Sequence, residues 1–263
     1  MFAYVPEPDT QAPPRVTALA AGRPVAAVWR NELGGVTYRL GEGPGRRFAK
    51  WAPAGSGADL AAEAERLRWA RPFTAVPEVL EQGADQDGSW LLTAGLPGES
   101  AVAERFRRDP ATAVRAIGEG LRAFHEALPA AHCPYDWSAE RRVARAAELR
   151  RDPADWHPDL RHLGTVEHAL ARLADVPPPD HPPVVCHGDA CAPNTLVAAD
   201  GRPGGHVDLG ALGVADRWAD LAVASWSTVW NYGPGWERPL LEAYGVEEDH
   251  ERLAYYRLLW DLT

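Results

Sequence analysis

The densest run of chemically capable side chains is His187-Gly188-Asp189-Ala190-Cys191-Ala192-Pro193-Asn194, followed by Asp208 and Gly210. An Asp and an Asn five positions apart in a loop, with a second Asp closing a short hairpin, set three side-chain oxygens around one point. That donor set suits a hard divalent cation such as Mg²⁺, which keeps several waters and takes its other ligands from phosphate. Asp189 is then free to orient an attacking hydroxyl, and the set has the parts of phosphoryl transfer. Taken singly, Asp189 also reads as a turn or capping residue. Zinc at His187 and Cys191 lacks enough soft ligands.

A cation for the phosphates is found upstream. Lys50 ends a β-like run, and Glu63 follows 13 residues later in a helical stretch. A strand Lys held by a helix Glu is the pair that grips α- and β-phosphates in phosphoryl transfer. The alternative is an exposed ion pair worth ~0–1 kcal/mol. Of the 27 basic residues, 26 are Arg and one is Lys, and Asn and Ile are scarce, as under GC-rich codon bias. Where Arg fills nearly every cationic position, a lone Lys marks a place that the planar guanidinium does not serve. The Asn31–Gly35 loop lacks a full GxGxxG and says little about phosphate.

The elements that must hold these residues follow from pattern. Val25–Arg30, Val36–Leu40 and Arg47–Trp51 read as an antiparallel meander, and Asp59 caps a helix to Ala70. Val76–Glu81 and Ser89–Leu92 read as two further strands, and Leu96-Pro97-Gly98 as a hinge. Beyond it, Pro110–Ala127, Ser138–Arg150, Val166–Ala174, 216–231 and 247–260 read as helices. Pro182–Cys186 leads into the polar loop, and Leu196–Ala198 with Gly205–Asp208 forms a hairpin. Strands first and helices after predict an α+β fold of two lobes. The division expected is 1–96 as a nucleotide-binding lobe, with 1–14 a loose arm, and 97–263 as a catalytic and acceptor-binding lobe.

The chain has 263 residues, 46% apolar and 24% charged, enough for a sizeable core. No stretch nears the ~18 apolar residues of a membrane span. MFAYVPEPDTQAPP has no secretory pattern, so a soluble, cytoplasmic protein is expected, with no membrane or protein partner implied. Cys133, Cys186 and Cys191 are odd in number and lack CxxC spacing, against a disulfide framework. The net charge of −10 argues against nucleic acid. Residues 1–150 hold 19 acids and 19 bases, whereas 151–263 hold 18 acids and 8 bases. So acidic a half either concentrates a cationic partner or is simply a solvated face.

The run VVCHGDACAPNTLVAADGRPGGHVDLGALGVADRWADLA resembles the catalytic region of the aminoglycoside 3′-phosphotransferases. FAKWAPAGSGADLAAEAERLRWA resembles their lysine strand and glutamate helix, WLLTAGLPGES their hinge, LRAFHEALPAAHCPYD a mid-chain helix and turn, and LAYYRLLWDLT their C-terminus. The resemblance spans roughly 25–263 and implies a bilobal, protein-kinase-like fold: a small antiparallel sheet with a helix, then a larger, mainly helical lobe. It implies ATP and Mg²⁺, with Asp189 as catalytic base and Asn194 and Asp208 on the metal. Lys50 would hold the phosphates and Glu63 would orient it. Phe48 would stack on adenine, and the backbone of Ala94 and Leu96 would read the adenine edge. The activity implied is phosphate transfer to a hydroxyl of an aminoglycoside or similar amino-bearing molecule of antibiotic-resistance type. The rivals are the same chemistry on another antibiotic, amino sugar or metabolite, and a non-catalytic nucleotide-binding module. Nothing resembles the APE segment of protein kinases.

The departures cluster on the acceptor side. Ala211 stands where the family has Arg, and Ser225–Asn231 carries no acid where the family has several. The acid-rich loop before the catalytic segment is thinned to Asp155 and Asp159, and the terminal acid pair to Trp260-Asp261. Five of the 11 tryptophans fall between positions 218 and 260, with Trp226 and Trp230 on one helical face. Asp159, Trp226, Trp230, Trp260 and Asp261 are therefore the candidate acceptor contacts; the alternative for the tryptophans is core packing.

Overall fold

The computed structural model describes residues 6–7, 10–177, 179 and 181–263. The chain forms two compact units, 1–97 and 98–263. The first opens with helix α1 (Pro14–Ala20) and continues through strands β1 (Val25–Arg30), β2 (Val36–Leu40) and β3 (Arg47–Pro53), helix α2 (Leu60–Ala70), and strands β4 (Val79–Ala84) and β5 (Gly88–Ala94). The five strands make an antiparallel sheet in the order β1-β2-β3-β5-β4. β2 alternates strictly, burying Val36, Tyr38 and Leu40. Val16 and Ala20 of α1 pack against those residues together with Ala49 and Leu92. The arm expected over 1–14 lies partly outside the described residues, and Pro14 already begins a helix. So short a helix has too little periodicity to announce itself, and its packing stabilises it. α2 starts where expected, because the Asp59 carboxylate accepts the Ala62 N–H at 2.9 Å.

The second unit contains β6 (Glu99–Ser100), α3 (Glu104–Arg108), α4 (Pro110–Ala127), α5 (Ala139–Leu149), α6 (Val166–Leu173), β7 (Val184–Cys186), β8 (Thr195–Val197), β9 (Pro203–His206), β10 (Gly213–Ala215), α7 (Trp218–Tyr232), α8 (Glu237–Tyr244) and α9 (His250–Asp261). β7 pairs with β10, and β6, β8 and β9 form a small antiparallel sheet. α4 has the expected stripe of Val114, Ile117, Leu121 and Phe124. α7 is buried on all sides from Trp218 to Thr228 and is the central strut of the unit.

Sequence pattern missed α3 and α8. α8 hides behind Gly233-Pro234-Gly235 and contains Pro239, which the first turn of a helix tolerates because its N–H needs no intrahelical partner there. It packs on α4 so closely that a Cβ on Gly118 would lie 2.5 Å from the Leu240 carbonyl oxygen. Among the described residues no helix is long and apolar enough to cross a membrane, and none of the cysteines is in a disulfide.

Candidate active site

In the first unit, Lys50 stands in the middle of β3, opposite Thr37 and Leu91, rather than at the strand end. Its Nζ donates to both Glu63 oxygens, at 2.8 and 2.9 Å. Glu63, in the first turn of α2, is buried, so the pair is not the exposed contact of the alternative reading. Phe48, two residues earlier, has its ring against Gly95, where an added Cβ would lie 3.2 Å from it. The Ala94 N–H donates to the Glu78 carbonyl, and the Leu96 carbonyl accepts from the Arg46 guanidinium at 2.5 Å. An adenine would therefore have to be read by the Ala94 C=O and the Leu96 N–H. The sheet thus brings Lys50, Glu63, Phe48 and the 94–96 segment together.

In the second unit, β7 delivers the loop that begins at His187. The loop's conformation is set from below by Asp220, a fully buried acid on α7. Asp220 accepts the His187 N–H at 2.6 Å and the Gly188 N–H at 2.8 Å. It also meets His125 Nε2 at 2.9 Å, while His125 Nδ1 meets the Tyr244 hydroxyl at 2.8 Å. The tautomer that serves both donates from Nε2 and accepts at Nδ1. Burial alone would raise the Asp220 pKa, but the hydrogen bond from His125, with support from His187 and the Gly188 N–H, holds it below the ordinary carboxylate value. Cys186, His125 and Asp220 lie close enough to share a metal. With both Asp220 oxygens engaged by N–H groups, the cluster is better described as a hydrogen-bonded anchor.

Gly188 has φ +85°, and a Cβ there would lie 2.2 Å from the Ala211 carbonyl oxygen, so the 187–194 loop and the 208–212 turn touch backbone to backbone. Asp208 lies two residues beyond β9, in the left-handed region at φ 67°. The expected strand to Asp208 therefore ends early, and the turn holds that carboxylate at a backbone cost of about 1 kcal/mol.

Asn194 Nδ2 donates to the Asp189 carbonyl at 2.9 Å and to its Oδ2 at 3.1 Å, so the Asn194 oxygen is the atom presented to a cation. Asp189 Oδ1 is buried with no hydrogen-bond partner. Burial first, and the negative charge of Asp208 second, push the Asp189 pKa up, against the opposing contacts of Cys191, His187 and Asn194. Two acids that repel each other beside an amide oxygen form an all-oxygen donor set short of positive charge, and these residues fit Mg²⁺. Ser227 on α7 completes the support, its hydroxyl accepting the Ala192 N–H at 2.9 Å.

The five candidate acceptor residues also come together, around His157, which sequence reasoning did not single out. Ring centroids lie 4.3 Å apart for His157–Trp226, 4.9 Å for Trp226–Trp230 and 5.6 Å for Trp230–Trp260. The Trp226 indole N–H points at Asp159 Oδ2, 3.4 Å away. Two of the five sit inside: Trp226 is 4% exposed, and Asp261 is buried with Oδ2 accepting the His157 N–H at 3.0 Å. Packing, not contact with an acceptor, accounts for those two. Asp220, His125 and Ser227 were also missed. The signal for Asp220 was an acid inside the apolar run Trp218–Ala224, since a buried acid must be paired.

Residues 30–256 match the sequence profile of the phosphotransferase enzyme family. An aminoglycoside 3′-phosphotransferase of Streptomyces fradiae is 39% identical over 254 residues, covering 89% of this chain and 92% of the relative. A streptomycin 3″-kinase of Streptomyces griseus is 33% identical, covering 90% and 91%. The crystal structure of an aminoglycoside 3′-phosphotransferase of type VIII superposes with a TM-score of 0.78 at 32% identity, covering 94% of this chain and 97% of that one. With a matching family profile over most of its length and relatives above 30% identity, the chain belongs to the aminoglycoside phosphotransferase family, with its bilobal protein-kinase-like fold.

Proposed function

We propose that this protein transfers the γ-phosphate of ATP, with Mg²⁺, to a hydroxyl of an aminoglycoside or a similar amino-bearing small molecule in the cytoplasm. The observation that carries the reading is the buried Asp189 Oδ1, which has no partner inside the protein while Oδ2 is held by Asn194. A carboxylate oxygen so placed can accept the proton of an acceptor hydroxyl. The Asn194 oxygen and the Asp208 carboxylate would hold Mg²⁺, which when bound neutralises the charge on the phosphates. Lys50 would hold the α- and β-phosphates from a position fixed by Glu63. Phe48 would stack on the adenine, with the Ala94 C=O and Leu96 N–H at its edge. The excess of acids in 151–263 and the acceptors named for the relatives favour a cationic acceptor.

ADP release with Mg²⁺ and ATP across a panel of aminoglycosides tests this. Transfer should depend on the acceptor, and Asp189→Ala should lower kcat at least ~10²-fold while ATP still binds, because this carboxylate touches the acceptor and not the nucleotide. A variant within tenfold of wild type would remove Asp189 from the role of base. The second reading, the same chemistry on a less cationic acceptor, is favoured by the ring cluster around His157.

A further inference from the structure

The carboxylates in contact with that ring cluster are largely committed within the protein. Asp261 is buried, bonded to the His157 N–H and 3.7 Å from the Arg151 guanidinium. Glu237, on the neighbouring helix, pairs with Arg257 at 2.8 Å, and the same guanidinium lies 5.7 Å from the Trp226 ring centroid. Trp226 therefore already has a cation of the protein's own beside it. Asp159 meets the cluster through the Trp226 indole N–H and lies 3.6 Å from His157 Nδ1, and its side chain is still 69% exposed. Trp230 is 39% exposed, the largest aromatic surface that the cluster leaves uncovered.

The cluster is tied to the chemistry through α7. Ser227, which holds the Ala192 N–H, follows Trp226 directly and precedes Trp230 by three residues. At 1.5 Å of rise and 100° of turn per residue, Trp230 lies about 4.5 Å along the axis from Ser227 and about 60° around it. Asn231 caps this stripe, donating to the Ser227 carbonyl at 2.8 Å. One helix thus carries both the support of the catalytic loop and an open indole face.

Resting on the phosphotransferase reading above, we infer that the preferred acceptor is a hydroxylated molecule with one ammonium group and a flat apolar or aromatic face, stacked on Trp230 with its ammonium at Asp159. A polyamine would find one open carboxylate at this cluster where it needs several. An aromatic or apolar face would stack on the open indole of Trp230.

The test compares 4-nitrophenyl glucosaminide, a monoamine with an aryl face, with neomycin, a hexa-amine. ADP release gives KM and kcat for each, and calorimetric titration gives binding without chemistry. The aryl glucosaminide should have a KM at least about tenfold below that of neomycin. Trp230→Ala should shrink the ratio of the two KM values about tenfold, Trp230→Phe should restore most of it, and Asp159→Asn should raise the aryl glucosaminide KM. A lower KM for neomycin, or a ratio unmoved by Trp230→Ala, would overturn the inference while leaving the phosphotransferase reading intact. Trp230-dependent binding of the aryl glucosaminide with no ADP release on any acceptor would do the reverse. Absence of aryl glucosaminide binding to the wild-type protein would overturn the inference.

Discussion

Glu63 holds Lys50 with both of its oxygens from a buried position, so the ammonium has one place on the sheet. A guanidinium is larger and planar and would meet the same carboxylate with its centre of charge displaced. Lys50→Arg should therefore raise KM for ATP or lower kcat, and Glu63→Ala should do the same more mildly; steady-state kinetics with varied ATP checks both. Equal kinetics for Lys50→Arg would defeat the argument that this lone lysine marks a site closed to Arg. The grouping of these polar residues was legible because the chemistry proposed for them restricts residue type and spacing, and one lysine among 27 bases is conspicuous. The tryptophans were less legible. Pattern put Trp226 and Trp230 on one face, but whether a large ring is covered depends on what packs over it, here His157 and Arg257 from distant segments.

At the scale of elements, α7 links several functions, with Asp220 under His187 and Gly188 near one end and Ser227 under Ala192 in the middle. Ser227→Ala leaves a buried N–H without its acceptor, at a cost of about 1–3 kcal/mol. It should lower the urea midpoint and reduce kcat, and an unchanged midpoint would show that the hydroxyl does not support the loop. Gly118→Ala should destabilise despite alanine's better helix propensity, since the new methyl would press on the Leu240 carbonyl where α4 meets α8. Overpacking of this kind costs about 1–3 kcal/mol. The long elements could be read from periodicity and caps, as with Asp59 and α2 or Pro110 and α4. α1 and α8 could not, because each is short and carries Pro or Gly at its ends or in its first turn, so tertiary packing decides its conformation.

At the scale of the whole molecule, pH acts through buried groups whose charge state the core fixes. His206 is buried against Phe124 and His187, and burial first, then His187, push its pKa down to about 3. An unfolded histidine titrates near ~6.5, so between ~6.5 and ~3 the unfolded chain binds the extra proton. Stability should therefore fall as pH drops below ~6.5, by up to about 1.4 kcal/mol per unit from this group. Asp220 adds a second loss at lower pH: its depressed pKa contributes stability above ~3.9 that disappears on further acidification. Thermal melts from pH 7 to 4.5 separate the two, and His206→Asn should flatten the curve in that window. Parallel curves for wild type and variant would show that His206 is not the group responsible.

The same lone lysine makes this chain a convenient spectroscopic object. A protein grown on lysine labelled with ¹⁵N at its side-chain nitrogen gives a single side-chain nitrogen resonance from this sequence, assigned without mutagenesis. Because that ammonium lies against Glu63, its chemical shift reports directly on whether the carboxylate still holds it. Nucleotide analogues could then be ranked by one peak, in a sample where every other cationic side chain is an invisible arginine or histidine.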